Sequence, residues 1–344
     1  MTLAEEDLEA CRIAIQHGSK SFHAASKLLP PHVRAPALAL YAFCRLADDA
    51  VDLGADKAAA VIRLRTRLAR AYAGDPLPTP ADRAFAAMIA THDMPRALPE
   101  ALLEGFAWDA EERRYDTLSD VRAYAARVAA TVGAMMTVLM GVRDRDALAR
   151  ACDLGVAMQL TNIARDVGED AAEGRIYLPL TWMQDEGVDV DAFLANPRPS
   201  RPLEQIVHRL LREARRLYVR AETGIALLPP RCRPAIFAAR LIYAAIGHEI
   251  AKNGHDSVTR RAHTGRGAKI RLAGAALGAS GLSLVVPRSA TRLAPPLPET
   301  AFLVSAAAQA NPGNRGIFDV DTKIANLADL FIQLEARDRG QRLS

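Results

Sequence analysis

Two pairs of aspartates set the tightest constraint on how this chain can fold. Asp48 and Asp52 stand four residues apart in DDAVD, and Asp166 and Asp170 repeat that spacing in DVGED. On an α-helix four residues turn about 400°, so each pair stacks on one face, one turn apart. Carboxylates stacked this way repel by roughly a few tenths of a kcal/mol per pair. Two such stripes facing each other across a helical core would form an anionic spot that needs cations. Hard oxygen ligands with no Cys or His nearby suit Mg²⁺ or Mn²⁺, which shares its other positions with water and phosphate oxygens.

The flanking residues sharpen this reading. Tyr41, Arg45, Asp48 and Asp52 fall at steps of four, three and four, and Gln159, Asn162, Asp166 and Asp170 at three, four and four. A guanidinium beside one pair and two amides beside the other suit a charged ligand held through metal. A surface salt-bridge face would alternate Lys with Glu instead. Gly168 inside the second motif costs a helix about 1 kcal/mol relative to Ala, a sign that function or close packing overrides propensity there. Asp49 and Glu169 lie off the stripes and read as solvated or locally paired.

The rest of the chain predicts an all-α fold. Helical periodicity recurs throughout and strand alternation is almost absent. Helices are expected over 5–18, 36–52 (with Pro36 near its N-terminus), 58–73, 81–92, 99–113, 118–139, 146–167, about 202–228 and 234–254. Residues 1–285 read as a single domain, and 286–344 as a poorly specified tail with a short amphipathic helix near 321–337. Among 344 residues half are hydrophobic, and the net charge of +4 is dispersed rather than gathered with aromatics, which argues against nucleic acid. Cys11, Cys44, Cys152 and Cys232 are scattered, without metal spacing, and suit a reducing cytosol. No signal peptide or 18-residue apolar run is visible. The nearest candidate, 272–286, reads as a buried or loosely packed segment before a membrane-contacting one.

Several strings resemble the squalene/phytoene synthase family, in its bacterial carotenoid branch. They are SKSFHAASKLLP (19–30), YAFCRLADDAVD (41–52), WDAEERRYDTLSDVRAYAARVAATVG (108–133), AMQLTNIARDVGEDAAEGRIYLP (157–179), RAETGIALLP (220–229) and IFAARLIYAAI (236–246). The resemblance covers roughly residues 8–275. It implies an isoprenoid-synthase helical bundle with a central active-site cavity, and a Mg-dependent prenyltransferase. Two geranylgeranyl diphosphates would condense head to head, through a cyclopropylcarbinyl diphosphate, to phytoene, the first committed step of carotenoid synthesis. The rival within the family is a squalene or dehydrosqualene-type synthase using farnesyl diphosphate. No NADPH is expected, and the resemblance allows stimulation by ATP.

By motif matching, Asp48, Asp52, Asn162, Asp166 and Asp170 would hold or support the metal. Arg45, Gln159, Ser21 and Tyr243, with Arg260 or Arg261, would contact diphosphate, and Phe22, Tyr41, Tyr124, Val128 and Val132 would line the tails. The plain competitors are core packing for Phe22 and Tyr243, helix capping for Ser21, structural or exposed roles for His17, His23 and His248, and a solvated face for Lys269 and Arg271. Where relatives carry a second aromatic and a Gly, this chain has Ala126 and Ala130, which should reshape the tail wall. Leu38, ten residues before Asp48 and about 15 Å along the helix, is expected near the end of a tail, where the lack of a bulky aromatic favours C20 over C15. So greasy a product implies a protein of the cytoplasm held peripherally on the inner face of the membrane, through 260–271 or 272–286, with a phytoene desaturase downstream.

Overall fold

The computed structural model describes residues 3–18, 25–52, 57–284 and 289–309, and these contain helices and turns but no strand. The helices are α1 (Glu5–Gly18), α2 (Pro31–Asp52), α3 (Lys57–Ala73), α4 (Pro80–His92), α5 (Ala97–Ala110), α6 (Leu118–Ala125) and α7 (Thr131–Leu139). They continue with α8 (Arg145–Ala172), α9 (Leu180–Asp185), α10 (Val190–Ala195), α11 (Arg201–Ile225), α12 (Arg233–Lys252), α13 (Arg266–Leu282) and α14 (Ala301–Ala308). A π-helical turn, Ala126–Ala130, joins α6 to α7.

Local chemistry explains the starts. Thr79 accepts from the Asp82 N–H ahead of Pro80 at the first helical position, Thr117 forms a reciprocal capping box with Asp120, and Asp144 accepts from the Ala147 N–H. α2 begins five residues before the expected Pro36, which is interior. The Pro30 carbonyl accepts from the Val33 and Arg34 N–H groups, so Pro31 takes the opening place where a missing N–H costs nothing. Arg34 holds the preceding turn by donating to the carbonyls of Ser26, Lys27 and Leu29.

The 28-residue α8 runs through the core, against α11, α7, α12 and the π turn. It continues past the expected end at Val167, so the whole second acidic motif is helical. The first compact unit spans Met1–Gln309, so residues 289–309 pack with the helices although they read as tail from sequence. Arg143 ties α14 down by donating to the Ala307 carbonyl, and Ser119 donates to Glu299. The amphipathic candidate at 321–337 lies outside the described residues.

The described part of the 272–286 segment is loosely packed rather than buried throughout. It belongs mostly to α13, which lays Ala276 and Ser280 inward and leaves Ile270, Leu277 and Leu282 exposed. Among the described residues no helix is long and apolar enough to cross a membrane.

Candidate active site

The C-terminal half of α8 presents Gln159, Asn162, Asp166 and Asp170 along one face, as the spacing requires. Asn162 donates to Gln159 at 3.3 Å, while its own Oδ1 is buried without a hydrogen-bond partner. Asp166 Oδ1 accepts from Arg165 Nε at 2.7 Å and from Arg261 Nε at 2.9 Å. Arg261 also reaches Glu169 at 3.2 Å. Asp170 sits a turn further on, and burial, then Asp166 and Glu173, push its carboxyl up to about 8. An excess of buried negative charge and an orphaned amide oxygen are what a bound cation would relieve.

Arg261 arrives from the loop after α12, and Gly168 is what lets that loop close. The Gly168 N–H donates to the Ser257 carbonyl at 2.9 Å, and a Cβ there would lie 2.3 Å from the Val258 oxygen. The propensity cost read from the sequence therefore has a steric cause. Asp256 folds the loop by accepting from the Val258 and Thr259 N–H groups, both at 3.0 Å. His255, in the left-handed region at φ 66°, touches His208 of α11 across 3.1 Å. Arg260 is exposed and lies near Asp256.

Between α2, α5, the π turn, α7, α8, α11 and α12 lies a cavity of about 500 Å³. Tyr41, Arg45, Gln159, Asn162 and Tyr243 belong to its wall, as do the expected tail contacts Tyr124, Val128 and Val132. Most of the remaining lining is apolar. The π turn advances the chain by an extra residue, which re-aims the side chains after Tyr124. α8 seats against it without side chains between: a Cβ on Gly155 would come 2.5 Å from Ala130 Cα, and one on Gly133 2.7 Å from the Ala151 oxygen. Arg45 is also ion-paired with Asp49, matching the off-stripe reading of Asp49.

Asp109, on α5, was not singled out by the sequence. Its carboxylate lines the cavity and accepts from Tyr124 at 3.0 Å and Tyr177 at 2.8 Å. The rings of Tyr124 and Tyr177 stack with centroids 5.1 Å apart. Burial, with Asp109 second, pushes both phenols well above their usual range, so they remain donors at any physiological pH.

Other expectations fare variously. Ser21, Phe22, His23 and the side chains of His17, Asp48 and Asp52 lie outside the described residues; His17 falls in the last turn of α1, and Asp48 and Asp52 in the last turns of α2. Leu38 is buried in the core and off the cavity wall. Ala126 and Ala130 are also buried off the wall, at the two ends of the π turn. Cys11, Cys152 and Cys232 are buried, and Cys44 lines the cavity. His248 is exposed. Arg165 escaped notice because it is off the stripe by one residue, although the adjacent Arg-Asp pair was legible.

Among the described residues no three His, Cys, Asp or Glu side chains converge on one point. The described part of the expected ligand set is Asn162, Asp166 and Asp170. Its oxygen-only chemistry and the strain on Asp170 fit a hard divalent cation.

Residues 15–268 match the profile of the squalene/phytoene synthase family. A phytoene synthase from Rhodobacter capsulatus is 58% identical over 342 residues, covering 98% of each chain. One from Cereibacter sphaeroides is 57% identical, over 98% of this chain and 96% of its own. Among solved structures, a dehydrosqualene synthase with bound ligand superposes with a TM-score of 0.74 at 31% identity, covering 80% of this chain and 96% of its own.

Proposed function

Since this chain belongs to the squalene/phytoene synthase family, we propose that it condenses two geranylgeranyl diphosphates head to head into phytoene, releasing diphosphate. The observation that carries this is one continuous cavity with a polar end and an apolar remainder. The polar end is the Gln159–Asn162 face that runs on to Asp166 and Asp170, and apolar helices wall the rest. Full-length similarity to two phytoene synthases favours the C20 substrate over the C15 substrate of the dehydrosqualene and squalene enzymes.

Asp166, Asp170 and Asn162, with Asp48 and Asp52 of α2, would hold Mg²⁺ or Mn²⁺. When bound, the cations supply Lewis-acid charge neutralisation to a departing diphosphate. Arg261 and Arg165 place positive charge beside the same carboxylates, and Arg45, Gln159 and Tyr243 reach toward diphosphate oxygens from the wall. Ionisation leaves an allylic cation, which the C2=C3 bond of the second substrate attacks. The wall around Val128, Val132 and Phe106 excludes water that would otherwise quench it. Tyr124 and Tyr177 keep their protons and donate them in hydrogen bonds to Asp109, and the Tyr124 ring belongs to the cavity wall, where its quadrupole favours a nearby cation. No reductant is needed for this outcome, unlike squalene formation.

Peripheral membrane attachment belongs to the same reading. On α13 the exposed Ile270 is flanked by the basic Lys269 and Arg271, with exposed Leu277 and Leu282 further along the same helix, a combination that favours an anionic interface. A downstream desaturase would take up the product there.

The test is to supply purified protein with Mg²⁺ and each prenyl diphosphate, then extract the hydrocarbon. C40 from geranylgeranyl diphosphate, with activity lost in Asp48→Asn and Asp166→Asn, is expected. A C30 product formed in preference would move the chain to the farnesyl-using branch, and full activity in both variants would sink the mechanism.

A further inference from the structure

An arginine stands where the apolar end of the cavity should be sealed by a hydrophobe. Arg150 is on α8, twelve residues and about 18 Å along the axis before Asn162. It lines the cavity, yet it is only 1% exposed. A guanidinium in such surroundings is unfavourable unless every charge finds a partner.

The structure shows where the charge goes. Arg150 Nε lies 2.7 Å from the fully buried Asp153, and Nη1 donates to the Thr291 and Arg292 carbonyls at 2.8 and 3.3 Å. Nη2 reaches the Pro295 carbonyl at 3.4 Å. Arg220 of α11 joins the same knot, donating to Asp153 at 3.1 Å and to Pro295 at 2.9 Å. The head group is thus pinned to the 291–295 segment, and the aliphatic stem is what remains for the cavity. That stem presses on bare backbone: a Cβ on Gly224 would sit 2.2 Å from Arg150 Cβ and 2.6 Å from Cγ. Around it the wall is small, with Ala147, Ala151 and Ala221. A leucine or methionine here could swing aside; a stem anchored at both ends cannot.

We infer that Arg150, held from behind by residues 291–295, is the floor of the prenyl-tail cavity and sets the longest tail it admits. This rests on the prenyl diphosphate reading given above. It also shifts the length determinant from Leu38 on α2 to the junction of α8 with α11.

Two variants test it. Arg150→Ala removes the stem and deepens the cavity; Ala221→Leu, one turn before Gly224, fills space at the floor without touching the charged knot. Affinity for unreactive C15, C20 and C25 thiolodiphosphates, measured by calorimetry with Mg²⁺, reads tail length without turnover. Arg150→Ala is expected to raise C25 affinity relative to C20 roughly tenfold, and Ala221→Leu to lower C20 relative to C15 by a similar factor. If Arg150→Ala does not fold, Ala221→Leu decides. Parallel changes for all three lengths would reduce Arg150 to a tie for the 291–295 segment and overturn the inference. Failure of the unaltered protein to bind any of the three would instead strike the prenyl diphosphate reading itself.

Discussion

Arg261 and Asp166 are 95 residues apart in sequence and 2.9 Å apart in space. The cationic side chain is delivered to the acidic motif by a loop rather than by a neighbouring helix, and of the two adjacent arginines Arg261 is the one that reaches Asp166. Arg261→Ala should raise KM for the prenyl diphosphate at least tenfold, about the 1.5–3 kcal/mol that a charge-assisted hydrogen bond contributes. Arg260→Ala should stay within about twofold, since its neighbour makes the contact. Steady-state kinetics on the two variants checks this, and equal effects would undo the assignment.

Gly168→Ala sets two effects against each other. Alanine gains about 1 kcal/mol of helix propensity, while overpacking against the Val258 backbone costs about 1–3 kcal/mol. The contact at 2.3 Å is with backbone that cannot swing away, so overpacking should win. A lower melting temperature and a weaker response to Mg²⁺ are expected. A rise in melting temperature would show that the loop yields freely.

Asp109 accepts from both Tyr124 and Tyr177. Removing one hydroxyl leaves the other phenol still donating to the carboxylate, whereas removing both takes away the two phenolic donors together. Tyr124→Phe and Tyr177→Phe should therefore combine non-additively, the double variant losing more than the sum by about 0.5–3 kcal/mol. Chemical denaturation of the four-member cycle measures the term; strict additivity would rule out a shared network.

The His208–His255 contact predicts a pH dependence. Burial, and then His208, hold the His255 pKa below its ordinary value, against a smaller opposing pull from Glu204. The unfolded chain then binds the proton more tightly, so stability present at neutral pH falls as pH drops through about 6.5, and the loss levels off below the folded value. His255→Gln should flatten the melting-temperature profile between about pH 7.5 and 5. A profile unchanged by that substitution would place the acid sensitivity elsewhere.

The sequence made the helices and the α8 face readable because both follow from period and spacing alone. Gly168 was visible as an anomaly, and its cause was not, since the close approach comes from residues ninety positions away. Asp109 carries no periodic signature: it is one carboxylate near the end of α5, and only the fold brings Tyr124 and Tyr177 to it. Arg150 was unreadable for a similar reason. Besides Asp153, its partners are backbone carbonyls at 291–295, which leave no trace in residue identity. The interior Pro36 misplaced the start of α2 because Pro31 supplied the real opening.

The seam where Gly133 and Gly155 bring α7, α8 and the π turn backbone to backbone has a mechanical consequence. With no side chains between the chains, nothing there can change rotamer to make room, and the low compressibility of a packed interior applies in full. Any swelling needed to admit a second long substrate must be taken up on the opposite side, by α2. Amides along α8 and the π turn should accordingly exchange with solvent slowly whether or not substrate is bound, while those of α2 register its arrival.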